Sequence, residues 1–260
     1  MQISLIQQDV AVADKNTNFK TVTRLVEEAV SMSPAPDLIV LPELWSTGYA
    51  LEDLVHLASE EGEEEAHFLG ELAFKHKVWF AGGSVAAKTK EGITNRAQII
   101  DRNGNLKQTY DKIHLVPMLR EDKFLTAGNK ICLYQIEGIT FGFAICYDIR
   151  FGQFMHKLAL EGAEALIVSA QWPLVRLNHW QTLLQARAIE NQYYVLAANN
   201  SSKGEPDFAG HSAAYGPDGS IICQLEREQS VAQLMIEPAI VQKVRQEIPV
   251  FSDRRPELYQ

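Results

Sequence analysis

Runs of residues that are apolar almost throughout, rather than at alternate positions, constrain this chain most. DLIVLP (37–42) is such a run, and ALIVSA (165–170) and YYVLAANN (193–200) resemble it. A strand of this kind suits a sheet covered on both faces, since a half-exposed strand alternates apolar with polar residues. Each run is preceded by a stretch of helical spacing, at 15–31, 152–162 and 176–191. In the first of these, Phe19, Val22, Leu25, Val26, Ala29 and Val30 fall on one helical face. ISLIQQ (3–8) and VWFAGGSVA (78–86) read as further strands, and 62–75 as a further helix.

Other segments pair with near neighbours. RAQIIDRNGNLKQTYDK (96–112) reads as two strands around Asn103-Gly104, a strong hairpin signal. ICLYQIEGITFGFAIC (131–146) turns near Glu137-Gly138, GHSAAYGPDGSIICQLE (210–226) around Pro217-Asp218-Gly219, and VAQLMI (231–236) is the last strand. Hairpins mixed with strand–helix–strand units rule out a simple all-parallel sheet. The expectation is an α/β fold in four layers: an αββα sandwich of two mixed β-sheets packed face to face, with helices outside. No linker or repeat breaks the chain, so residues 1–260 are expected to form one domain, with 238–260 as a C-terminal helix and tail. The end of that tail, VFSDRRPELYQ (250–260), reads either as an arm towards a partner chain or as a frayed end.

Composition narrows the function classes. The formal net charge is -9, and without a basic stripe this argues against nucleic acid and anionic membrane as partners. MQISLIQQDV has neither a basic leader nor a cleavage site, and no run nears the roughly 20 apolar residues of a membrane helix. With three cysteines, reduced thiols in a cytoplasm are expected. GxxxxGK[ST], GxGxxG and HExxH motifs are absent and the seven histidines are scattered, so neither a cofactor nor a metal is expected.

Three strand-like runs end in chemistry-bearing residues. LIVLPELWSTGY (38–49) leads to Glu43, QTYDKIHLVP (108–117) to Lys112, and FGFAICYDIRF (141–151) to Cys146. Sites in open α/β sheets form beyond the carboxyl ends of strands. Taken singly, Glu43 reads as a solvated loop carboxylate, Lys112 as a surface lysine and Cys146 as a small core residue. Together they are the parts of a nucleophilic site: a base, a fixed positive charge and a thiol. Cys132, in ICLYQI, and Cys223, in IICQL, read as mid-strand core residues.

The sequence resembles the nitrilase superfamily of carbon–nitrogen hydrolases, from residue 3 to about residue 236. The likeness rests on LPE (41–43), DKIHL (111–115) and CYDIRF (146–151), which stand in the family's order. The resemblance implies the αββα fold and a catalytic set of Glu43, Lys112 and Cys146. It also implies a second glutamate that positions the lysine and the attacking water. In MLREDKFLTAG (118–128) the best match is Glu121, with Asp122 as the alternative. The implied cycle runs through a cysteine thioester, with the oxyanion held by Lys112 and the backbone N–H of Tyr147.

Two further residues bear on the substrate. Arg150 reads either as a surface ion pair or as a bidentate clamp for a substrate carboxylate. Trp172, in SAQWPLVR (169–176), reads either as core or as a pocket wall beyond ALIVSA. Both positions, and ARAIENQYYVLAANN (186–200), are similar to the ω-amidase branch, which hydrolyses terminal amides of 2-oxo dicarboxylic acids. The resemblance therefore implies a homodimeric amidase taking a small-molecule amide such as 2-oxoglutaramate or 2-oxosuccinamate. An N-carbamoyl amine or aliphatic amide hydrolase is the alternative reaction. A catalytically silent binding protein is the alternative class.

Overall fold

The computed structural model describes residues 1–259. The chain begins with β1 (Gln2–Gln7), α1 (Lys15–Ser31), β2 (Leu38–Val40), the one-turn α2 (Leu54–Leu57), the two-residue β3 (Ser59–Glu60) and α3 (Glu63–His76). A long hairpin, β4 (Trp79–Thr89) and β5 (Gly92–Ile100), continues into β6 (Leu106–Asp111) and the one-turn α4 (Glu121–Phe124). The second half opens with the hairpin β7 (Leu133–Ile136) and β8 (Ile139–Ile145). It continues through α5 (Gly152–Leu160), β9 (Ala165–Ala170), α6 (Leu177–Asn191) and β10 (Tyr194–Asn199). The chain closes with β11 (Ala213–Tyr215), β12 (Ile221–Gln224), β13 (Ser230–Met235), α7 (Pro238–Glu247) and α8 (Val250–Asp253).

These strands form two mixed sheets. One has the order β13-β1-β2-β4-β5-β6, with β3 beside β4, and the other β12-β11-β10-β9-β8-β7. Each has a parallel centre, β1-β2-β4 in the first and β8-β9-β10 in the second. Antiparallel strand pairs flank both centres. The parallel centres are where the apolar runs lie, because their strands are covered twice. Leu38 and Val40 of β2 enter the cluster between the sheets, whereas Ile39 enters the cluster beneath α1 and α3. On the far side, Met155 and Leu158 of α5 and Trp180 and Leu184 of α6 cover the second sheet. The sheets meet where β1 faces β10 and β4 faces β9. The four-layer αββα sandwich expected from the strand pattern is therefore the observed fold.

Local signals explain the boundaries. Asp14 caps α1, its carboxylate accepting from Thr17 N at 3.0 Å, a bond worth about 1 kcal/mol. Val22, Leu25, Val26 and Ala29 form that helix's buried stripe. Two sequence expectations need correction. Cys132 is buried but lies one residue ahead of β7 rather than within a strand. Cys223 lies in β12 but is only partly buried, because β12 is an edge strand whose Ile221 and Ile222 are exposed. The tail forms short turns, and Phe251 of α8 stacks on His156 with ring centroids 5.8 Å apart. Its last residue, Gln260, lies outside the described residues.

Gly83 governs how the first sheet meets the segment after β2. It sits at a register shift between β4 and β5, with φ +62. A Cβ there would stand 2.1 Å from the carbonyl oxygen of Pro42. Gly83→Ala would combine a left-handed alanine with a backbone clash. The expected loss is about 2 kcal/mol or more, read from the urea midpoint at constant m-value. An unchanged midpoint would show that the Pro42 segment yields freely.

Candidate active site

Five strands deliver side chains to one place. β2, β8, β9 and β10 are parallel strands whose carboxyl ends lead to Glu43, Cys146, Gln171 and Asn200. β6 runs the same way as β4, since β5 lies antiparallel between them, and so brings Lys112 to the same end. Glu43, Lys112 and Glu121 are fully buried and Cys146 is 5% exposed.

Lys112 ties the group together. Its Nζ donates to Glu43 Oε1 at 2.8 Å and to Glu121 Oε1 at 2.9 Å. Glu43 is held on both oxygens. Asn95 Nδ2 donates to Oε1 at 2.8 Å, and the backbone N–H of Gln171 to Oε2 at 2.8 Å. The Gln171 side chain donates to the carbonyl of Glu43 at 2.8 Å and accepts from Asn200 Nδ2 at 2.9 Å. Glu121 accepts from the backbone N–H of Val116 at 2.8 Å and from the Tyr49 hydroxyl. It is Glu121, not its neighbour, that reaches the lysine; Asp122 is exposed and pairs with Lys123 at 3.3 Å.

These contacts set the protonation states. Burial would lower Lys112, but the charges of Glu43 and Glu121 outweigh it and keep the ammonium charged. Burial raises Glu43 above 4.5; Lys112 pulls it back and Glu121 pushes it further up. Burial also raises the Cys146 thiol, and the Glu43 charge adds to this despite Lys112. The positive charge of Lys112, which alone would favour a thiolate, is thus outnumbered by two carboxylates. The resting thiol keeps its proton, beside a carboxylate able to take it. Burial likewise raises Cys132 to about 12 and Cys223 to about 11.

The turn that presents Cys146 is built from the same stretch. Cys146 has φ +46, a left-handed conformation costly for a residue with a Cβ. It opens the 3-10 turn Cys146–Arg150, in which Tyr147 follows as an amide at the turn's start. Buried Asp148 fixes this shape. Its carboxylate accepts from Ile145 N at 2.8 Å, from the Tyr110 hydroxyl at 2.7 Å and from His114 N at 3.2 Å. His114 Nδ1 lies 2.7 Å from the same group.

A cleft opens onto Cys146, with Tyr147, Arg150, Gln171, Trp172 and Arg176 among its lining residues. Trp172 is buried, and the Arg150 guanidinium lies over its ring, 4.6 Å from the centroid. Arg150 forms no ion pair with a carboxylate among the described residues; its polar neighbour is His179 Nδ1 at 3.4 Å. Asn95, Gln171, Asp148 and Tyr49 were not singled out from the sequence as site residues. Gln171 and Asp148 carried a usable signal, since each follows a strand end, whereas Asn95 lies in a hairpin strand with nothing to mark it.

The sequence profile of the carbon-nitrogen hydrolase family matches residues 2–246. A 2-oxoglutaramate amidase of Bacillus subtilis (strain 168) is 38% identical over 258 residues, covering 99% of this chain and 98% of that protein. A crystal structure of a CN-hydrolase superfamily protein from Xanthomonas campestris, with an arsenic adduct in its active site, superposes with a TM-score of 0.91 at 27% identity. That match covers 98% of this chain and 97% of the other. A Saccharomyces cerevisiae member of branch 10 of the nitrilase superfamily gives a TM-score of 0.89 at 26% identity, covering 96% and 94%.

The Asp148 contacts carry a stability prediction. Asp148→Ala leaves the Ile145 N–H and the Tyr110 hydroxyl buried without an acceptor. The expected cost is about 3 kcal/mol in urea unfolding. A cost below about 1 kcal/mol would show that the turn holds its shape without the carboxylate.

Proposed function

The chain belongs to the carbon-nitrogen hydrolase family, it is an amidohydrolase, and we propose that it acts as an ω-amidase. The substrate would be a small linear 2-oxo dicarboxylic acid bearing a terminal carboxamide, such as 2-oxoglutaramate or 2-oxosuccinamate. The observation that carries the catalytic assignment is one ammonium shared by two buried carboxylates beside a buried thiol.

In the proposed cycle the Cys146 sulfur attacks the amide carbon as its proton passes to Glu43. The oxyanion forms against the Lys112 ammonium and the Tyr147 N–H. Glu43 returns the proton to the leaving nitrogen, so ammonia departs and a thioester remains. Water deprotonated by Glu43 then hydrolyses the thioester and frees the acid. Lys112 suits this role because its charge persists throughout the neutral range. Glu121 holds the lysine in place and contributes to placing the water.

Substrate preference rests on other observations. Arg150 lies over Trp172 beside the thiol with no carboxylate partner among the described residues, its fork facing only His179 Nδ1, which a substrate carboxylate would replace. The 2-oxoglutaramate amidase of Bacillus subtilis shares 38% of its residues with this chain. Aliphatic amides, and N-carbamoyl amines without a carboxylate, need no such cation. A silent binding protein would not need the buried glutamates and lysine at the thiol. Among the described residues no helix is long and apolar enough to cross a membrane, and we place the enzyme in the cytoplasm, without cofactor or metal. Exposed Ile189 of α6 and Ile221 of β12 offer apolar surface for a homodimer.

An ammonia-release panel tests the substrate. 2-Oxoglutaramate should be hydrolysed with the highest kcat/KM; release hundreds of times slower than from an N-carbamoyl amine would overturn this choice. The base carries its own test. Glu43 is active as the carboxylate, and its pKa is raised, so activity falls as pH drops through a value above 4.5. The acid limb of kcat/KM should lie there, and Glu121→Gln should move it down by removing a charge that favours protonated Glu43. A limb below 4.5 or an upward shift would exclude Glu43. Thiol mapping by mass spectrometry completes the set. Iodoacetamide should alkylate Cys146 before Cys132 and Cys223, and Glu43→Gln should slow that step by at least about a hundredfold. Equal labelling of the three thiols would remove Cys146 as the nucleophile.

A further inference from the structure

A second arginine stands at the mouth of the cleft, and the reading above gives it no task. Arg176 ends the 3-10 turn Leu174–Arg176 and precedes α6. Trp172 Nε1 donates to its carbonyl at 2.8 Å, so the ring on which Arg150 stacks also anchors this turn. Both arginines are half-buried, and both line the cleft that reaches Cys146. The contact of the Arg176 guanidinium is the Met118 sulfur at 3.6 Å, a poor acceptor.

The chain has an excess of acid, with 33 Asp and Glu against 24 Lys and Arg. Most of its other arginines find carboxylates: Arg96 pairs with Asp111 at 2.7 Å, Arg187 with Glu190 at 2.6 Å and Arg102 with Asp37 at 2.9 Å. Arg150 and Arg176 find none among the described residues, although both line the same cleft. Two cations lining one cleft without a carboxylate partner repel, and an anion bound between them relieves the repulsion. A substrate carboxylate entering the cleft would supply that anion on the approach to Cys146.

We infer that Arg176 is a specificity-determining residue that closes, together with Arg150, on the carboxylate end of the amide substrate. The inference rests on the ω-amidase reading and adds to it a second cation and a division of labour. Arg150, seated over Trp172 and beside His179 Nδ1, holds its guanidinium in place. Arg176, whose side chain has only a sulfur beside it, adapts to the remaining carboxylate edge and to an oxygen on the adjoining carbon. The pair selects acyl groups with a distal negative charge and disfavours neutral ones of equal length.

The test compares 2-oxoglutaramate with butyramide, a terminal amide without a carboxylate, on the wild-type enzyme, Arg176→Gln and Arg176→Lys. For Arg176→Gln, the KM for 2-oxoglutaramate should rise about 10- to 100-fold with kcat changed far less. The ratio of kcat/KM for 2-oxoglutaramate over butyramide should fall by the same factor. Arg176→Lys should recover part of it, since it keeps the charge and loses the fork. A ratio unchanged in Arg176→Gln, or a loss shared equally by both amides, would overturn the inference while leaving the ω-amidase reading standing. A wild-type enzyme that does not prefer 2-oxoglutaramate over butyramide would overturn that reading instead.

Discussion

Lys112 is the hub of the buried charge network on which the candidate site depends. Its ammonium lies in a fully buried pocket, 2.8 Å from one carboxylate and 2.9 Å from another. Burying three charged groups is expensive, and such an arrangement persists only where hydrogen bonds satisfy nearly every remaining oxygen. Here they do. Asn95 and the Gln171 amide complete Glu43, while Val116 and Tyr49 complete Glu121. Each partner comes from a different part of the chain, so the charges fix the ends of several strands relative to one another.

That network leaves an excess of negative charge next to the thiol, and the chemistry follows from it. A cysteine beside an ammonium alone would lose its proton at rest. Beside an ammonium already claimed by two carboxylates it keeps the proton, and in the proposed cycle Glu43 takes it only when substrate is attacked. The resting thiol of that cycle is neutral rather than charged and reactive towards every electrophile. The strain at Cys146 belongs to the same design. A left-handed residue at a strand end is held there by Asp148, which accepts hydrogen bonds from β8, from β6 and from the segment after Lys112.

Charge also organises the approach to the site. An acidic molecule keeps two arginines free of carboxylates at one opening. The indole of Trp172 supports both, under the Arg150 guanidinium and through a hydrogen bond to Arg176. The local positive field attracts small anions that the rest of the surface repels. The two ends of a substrate would therefore meet opposite electrostatic surroundings.

The sequence by itself determined the layered fold and three strand-end residues. Apolar periodicity and turn signals are local, and they placed every strand except the two-residue β3 and every helix longer than one turn, including α1 at the bounds observed. Strand ends are local too, and so Glu43, Lys112 and Cys146 stood out before any geometry was known. Other features were decided only by tertiary structure. Asn95 is an ordinary hairpin residue until the register of β5 brings it to Glu43. The sequence prefers Glu121 but leaves Asp122 open, until the one-turn helix aims the first inward and leaves the second in solvent. The protonation state of Cys146 depends on counting charges from three segments remote along the chain. A single sequence carries no record of such sums, because burial and distance exist only once the two sheets have met.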